Sequence, residues 1–234
     1  MMLTMRFPGG LGKALTFSYD DGVEQDIRLI EILDRYHLRG TFNLNPGLQS
    51  PEHTFQKGSV TVRHLPLAQL PEVYKNNEVA GHTNTHLHLE QLDDARLYEE
   101  IHRGQDTLEQ LFGRKLLGLA YPYGTYNDHV VDALREAGVR YARTTAQTEN
   151  FELPQDLLRM TTTCRHANAH LLDLARQFVA AKPDHPQLFY LWGHSYEFAQ
   201  FDNWELIEEF CRIVSGQEDI FYGTNAEVLP GVQE

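Results

Sequence analysis

Residues 13–19 (KALTFSY) alternate apolar and polar positions and are rich in aromatic residues, which predicts a strand. Residues 25–37 place Ile27, Ile30, Leu33 and Tyr36 at helical spacing and predict an amphipathic helix. A short strand follows at 40–45, stopped by Pro46-Gly47. The stretch 49–63 is polar and rich in turn residues, and reads as a long surface loop. Further helices are predicted at 66–76, 93–112, 127–137, 169–181 and 205–214, and strands at 78–82, 116–121, 139–143, 157–161, 187–194 and 219–224. Asp93 or Asp94 suits the N-cap of the third helix, and Gly138 closes the fourth. The run 187–194 (QLFYLWGH) is apolar enough to be buried on both faces. Strands alternate with helices throughout, which defines an α/β protein with a parallel sheet. Seven or eight strand candidates favour a closed (β/α) barrel over an open sheet.

At 234 residues, 41% hydrophobic and 23% charged, the chain suits one compact domain spanning 1–234. The formal net charge is −13 and there is no run of Lys or Arg. Nucleic acid and anionic membrane surfaces are therefore excluded as expected partners. The two cysteines, Cys164 and Cys211, have no metal or disulfide spacing and read as buried thiols of a reducing compartment. No apolar run approaches a membrane span, and the first residues lack the pattern of an export signal. The expectation is a cytoplasmic protein.

Chemistry collects at strand ends. TFSYDDG sets Asp20 and Asp21 side by side where the first strand stops. GHTNTHLH sets His82 and His86 four residues apart after the third strand. AYPYG brings Tyr123 and LWGHSYEF brings His194 to two further strand ends. In parallel α/β folds these ends share one face, where ligands bind. Two histidines and one carboxylate are the ligand set of a catalytic Zn²⁺ that keeps a position open. That arrangement gives two adjacent aspartates separate work, one on the metal and one free as a base. His194 is then placed to donate a proton to a leaving group. No GxSxG, Cys/His dyad, P-loop or GxGxxG is present, so water attacks an amide or ester directly.

These residues resemble the polysaccharide deacetylase family, the bearers of the NodB homology domain. The likeness runs in order from TFSYDDG through HTNTH and YPYG to LWGH. It implies a distorted (β/α) barrel of about seven parallel strands, zinc or cobalt as the metal, and an acetylated carbohydrate or related amide as substrate. By that resemblance Asp20 is the base, Asp21, His82 and His86 bind the metal, the N–H of Tyr123 helps hold the oxyanion, and His194 is the acid. The family's arginine beside the Pro-Tyr pair is replaced by Ala120, and Arg143, at the next strand end, is expected to stand in for it. The segment that orients the acid histidine is not evident. His166 in TCRH is either a supporting group or a surface residue, the latter being the expectation. Tyr123, Tyr126, Tyr196 and Trp204 are candidates for stacking on a sugar, Trp192 is expected in the core, and His88 beside the site or on the surface. Two other functions remain open: a cyclic ureide or imide amidohydrolase on the same fold, and a non-catalytic carbohydrate-binding relative.

Overall fold

The computed structural model of the chain describes residues 7–229, 231 and 232; residues 1–6, on which the reading of the chain's start rests, lie outside them. The strands are β1 (Lys13–Asp20), β2 (Thr41–Leu44), β3 (Thr54–Lys57), β4 (Val60–Arg63), β5 (Glu78–Gly81), β6 (Gly118–Ala120), β7 (Tyr141–Gln147), β8 (Met160–Thr162), β9 (Cys164–Arg165), β10 (Gln187–Gly193) and β11 (Ile220–Tyr222). The helices are α1 (Gln25–Arg35), α2 (Leu70–Val73), α3 (Asp94–Phe112), α4 (Asp128–Glu136), α5 (Leu171–Ala180), α6 (Tyr196–Gln200), α7 (Trp204–Val214) and α8 (Asn225–Val228).

The main sheet runs β8-β7-β6-β5-β2-β1-β10-β9 with every pair parallel, and β11 lies beside β1. It closes through the stretch 160–165. On one side β8 pairs with β7, Arg143 opposite Met160; on the other β9 pairs with β10, Cys164 opposite Leu191. Between them the Thr163 N–H donates to Tyr190 O. One edge of β1 is shared, by β11 along Lys13–Leu15 and by β2 along Ser18–Asp20. The result is a distorted barrel.

The alternation along β1 explains its two faces. Leu15, Phe17 and Tyr19 join the core between barrel and helices, with Leu29 and Leu33 of α1 and Ile207 and Phe210 of α7. Thr16, Ser18 and Asp20 alternate with them and are buried among polar partners inside the barrel: Asn225, Asn43 and Arg143. Period-2 patterning with both faces buried is what a barrel strand requires.

Three expectations need correction. The stretch 49–63 is no featureless loop: β3 and β4 form an antiparallel hairpin, Phe55 opposite Val62. Its apolar side is small, Val62 packing with Val23 and Tyr196, so it left little hydrophobic signal. The helix expected at 66–76 shrinks to a 3₁₀ turn and the four residues of α2. Ile27 is 42% exposed, because α1 turns Leu29, Ile30, Ile32 and Leu33 to the core instead. Short elements β9, α6 and α8 were not foreseen. Cys164 and Cys211 are free and buried. No helix of the described residues is long and apolar enough to cross a membrane.

Lys13 shows how helices are tied to the barrel. Its buried Nζ donates to the carbonyls of Phe178, Val179 and Ala181 at the end of α5, and it lies 3.1 Å from Asp219. A cation there satisfies acceptors that the helix leaves open. Lys13→Met should cost about 2–4 kcal/mol, since the carbonyls of Val179 and Ala181 lose this donor and that of Phe178 keeps only the Ala181 N–H. A urea midpoint equal to wild type would refute this.

Candidate active site

β1 ends inside the barrel mouth on Asp20, 3% exposed, and Asp21 follows in the left-handed region with φ 83°. Two partners hold Asp20. The Nδ2 of Asn43 donates to Oδ1 at 2.8 Å, and the Nη2 of Arg143 donates to both oxygens, 2.6 Å to Oδ2. Arg143 is itself 1% exposed; its Nε donates to Ser18 Oγ, and its guanidinium sits 4.7 Å from the Trp192 ring centre. The register puts Arg143 directly beside Ala120, so the guanidinium enters from one strand over where β6 carries only a methyl group. Burial pushes the Asp20 carboxyl up, but Arg143, with His82 and His194, outweighs it and holds the pKa down to about 2.

The turn after β5 is built by buried polar groups. Glu100 of α3, 0% exposed, accepts from the N–H of Thr85 at 2.7 Å and from its hydroxyl at 2.6 Å. The Nδ2 of Asn45 donates to His82 O and Thr83 O. Thr83 Oγ1 accepts from the His86 N–H. These bonds hold Thr83 (φ 66°) and His86 (φ 60°) in conformations that cost non-glycine residues about 1 kcal/mol or more each. With Asp21 and Tyr123 (φ 60°), four of the seven described non-glycine residues at positive φ lie at this one mouth.

The Nδ1 of His82 is 2.7 Å from Ala120 O. Donating there fixes the tautomer and leaves Nε2 bare, as a metal-binding imidazole needs. That Nε2 lies 3.7 Å from Asp21 Oδ1, and the Nε2 of His86 lies 3.9 Å from the same oxygen. Such separations are too long for hydrogen bonds and suit ligands around one ion. The three ligand atoms all lie within 4.8 Å of one another. Burial and the nearby His82 push the His86 imidazole down to about 4, so it is neutral and able to ligate near neutral pH. One carboxylate and two imidazoles fit a divalent cation such as zinc.

His194 follows β10, its Nε2 3.9 Å from Asp20 Oδ2 and 4.0 Å from Asp21 Oδ2. Its Nδ1 lies 3.3 Å from Oε1 of Glu197, within ion-pair reach though not aligned as a hydrogen bond. Glu197 also takes Arg165 Nη2 and stands 2.9 Å from His166 Nε2. Burial alone would raise the Glu197 carboxyl; His166 and His194 pull it well below the usual range. Burial opposes charge on His194, but Glu197, Asp21 and Asp20 more than compensate, and its pKa is raised. The next residue, Ser195, donates to buried Asp26 at 2.5 Å and anchors the turn to α1.

Glu197 is the residue that sequence reasoning missed. A carboxylate three residues past the histidine, in HSYE, was the available signal, because i and i+3 face one another on a helical turn. His166 corrects an expectation: it is 2% exposed, parallel to the Tyr19 ring and tilted against Phe198, and not on the surface. Gly193 makes room for it, since a Cβ there would lie 2.0 Å from the His166 ring. Trp204 packs on Phe198 in the core, away from the cavity, whereas Trp192 and Tyr196 line it. Tyr123 lines it too, 53% exposed, its ring stacked on His88 at 3.8 Å. Tyr126 instead stacks on Tyr121.

Residues 9–142, more than half of the chain, match the polysaccharide deacetylase family, and the chain belongs to it. No curated protein matches. Among solved structures, a Mycobacterium smegmatis protein assigned to the polysaccharide deacetylases aligns over 99% of this chain and 93% of its own, with TM-score 0.69 and 19% identity. A family 4 carbohydrate esterase of Streptomyces lividans, solved with acetate, aligns over 93% and 95% with TM-score 0.59 and 17% identity. Both establish a shared fold. Against a Streptococcus pyogenes deacetylase, also solved with acetate, the alignment covers 56% of this chain and 55% of that one, with TM-score 0.49 and 26% identity.

The Asp20–Arg143 pair predicts a pH signature. Because the folded pKa of Asp20 is lowered, its contribution to stability is complete above the ordinary aspartate range and is lost as pH falls towards about 2. Arg143→Met leaves a buried carboxylate unpaired. In the metal-free protein this should cost about 3–5 kcal/mol at pH 7. The deficit should shrink in acid as the stranded carboxyl takes up a proton. A deficit independent of pH in urea denaturation would refute the assignment.

Proposed function

We propose that the protein is a metal-dependent hydrolase that removes acetyl groups from N-acetylated or O-acetylated sugars or related carbohydrates, with residues 1–234 acting as one catalytic unit. The observation that carries this reading is the convergence of Asp21, His82 and His86 beside a separately paired carboxylate, Asp20, and an imidazole, His194. Zinc, or cobalt in its place, would be held by the first three; when bound it polarises the acyl carbonyl and acidifies water.

The chain's own groups supply the rest. Asp20, kept ionised by Arg143, takes a proton from the attacking water as that water's oxygen bonds to the acyl carbon. The backbone N–H of Tyr123 supports the charge that develops on the carbonyl oxygen. His194, whose pKa Glu197 helps to raise, gives a proton to the departing nitrogen or oxygen as its bond to the acyl carbon breaks. Acetate and the free amine or alcohol leave. The two buried free thiols support a reducing, cytoplasmic setting.

Acetate release from N-acetylated sugars should stop with a chelator and return with Zn²⁺ or Co²⁺. Asp20→Asn should keep the metal and lose about 10²–10⁴-fold in kcat. Full activity without metal would point instead to cyclic ureide or imide hydrolysis, and sugar binding without turnover under any metal to a non-catalytic relative. Glu197→Gln makes a second test. An acid catalyst fails as pH rises through its pKa, and the variant removes a group that raises that of His194. The alkaline limb of kcat/KM should therefore move to lower pH. An unmoved limb would exclude Glu197 from this role.

A further inference from the structure

The chain contains five lysines among 33 acidic residues. Four are paired: Lys13 and Lys182 with Asp219, Lys75 with Glu72, Lys115 with Glu109. Among the described residues Lys57 has no carboxylate partner. Its side chain is exposed, yet it stays beside aromatic rings. Its Nζ lies 5.8 Å from the ring centre of Tyr196 and 6.0 Å from that of Phe55, and all three residues line the cavity that holds Asp21, His82 and His86.

The hairpin that carries Lys57 is anchored. Phe55 meets Tyr196 edge to face at 5.4 Å, Val62 is fully buried, and the Glu24 N–H donates to Arg63 O at 2.9 Å. Arg165 lines the same cavity, over Trp192 at 5.4 Å; its Nη2 is used by Glu197, but its Nε is buried without a partner. Leaving the imidazoles aside, the other charges at the cavity cancel. Asp20, Asp21 and Glu197 are opposed by Arg143, Arg165 and Lys57, so a divalent cation at Asp21 leaves the cavity positive inside a chain of net charge −13. A neutral sugar leaves that excess unused, whereas an oxyanion neutralises it. The cavity measures about 620 Å³, within the range of small-molecule sites.

Resting on the deacetylase reading, we infer that the site takes a small acetylated sugar bearing an oxyanion, carboxylate or phosphate, which Lys57 binds together with Arg165. The hairpin wall makes the cavity a pocket for such a compound and sets specificity through KM.

The test compares acetate release from N-acetylglucosamine, its 1-phosphate, its 6-phosphate and N-acetylmuramic acid, in the Zn²⁺-loaded wild type and in Lys57→Met. In wild type at least one anionic sugar should show a KM about tenfold below the neutral one, and the better arm tells phosphate from carboxylate. In Lys57→Met the ratio of the two KM values should collapse towards one, with kcat for the anionic sugar retained. A ratio that is the same in both proteins, or a neutral sugar bound as well as every anionic one, overturns the inference. A second measurement needs no turnover: quenching of tryptophan fluorescence by glucosamine 6-phosphate and by inorganic phosphate. Quenching that depends on Lys57 with no acetate released from any sugar would uphold the oxyanion subsite and sink the deacetylase reading. Acetate release from all sugars alike would do the reverse.

Discussion

Two carboxylates side by side at the end of a buried strand repel one another, and the repulsion is relieved when each has its own partners. Asp20 and Asp21 meet this constraint by division. Asp20 points into the barrel and is matched by Arg143. Asp21, turned by its left-handed backbone, faces the imidazoles of His82 and His86. The division creates the chemical asymmetry of the site: one carboxylate held by a guanidinium that favours its ionised form, one open to a cation.

The same logic repeats one layer out. Glu100 is completely buried, yet its charge is spent on the backbone and hydroxyl of Thr85, and Arg96 reaches it at 3.3 Å. It thereby holds the strained turn that aims both histidines. Glu197 gathers Arg165, His166 and His194. Asp26, pushed up to about 7 by burial in spite of bonds from Ser195, Tyr74 and Val23, links the start of α1 to the turn after His194. Buried acids thus position the loops of the mouth, which explains how loops with several left-handed residues can be well defined. The chain is acidic overall, but most of these buried acids are internally matched, and Lys57 and Arg165 line the mouth beside them.

Much of this was written locally. The alternation in KALTFSY, the helical spacing of 93–112 with its Asp93 cap, and the apolar run 187–193 are short-range signals, and the corresponding elements appear with shifts of a residue or two. The hairpin at 54–63 was hidden because its strands are four residues long and only Val62 among their residues is buried. The spacing of His82 and His86 on one turn was legible, as was the pair of aspartates. Arg143 could be suggested from its place at the next strand end. Glu197 was legible only through its i+3 spacing after His194, and its pairing with His166 was not, because a carboxylate and a histidine 31 residues apart carry no joint periodic signal.

By itself, then, the sequence determined the order of strands and helices, the polar and apolar faces of β1, and the presence of ligand-type residues after several strands, since each depends on neighbours within a few positions. Only the tertiary structure decided which groups meet: that Arg143 replaces the side chain missing at Ala120, that Glu197 stands behind His194, and that Lys57 on the β3–β4 hairpin joins the same cavity. Closing the barrel brings together strand ends more than a hundred residues apart, and charge pairing at that distance is a property of registers and packing that no local pattern records.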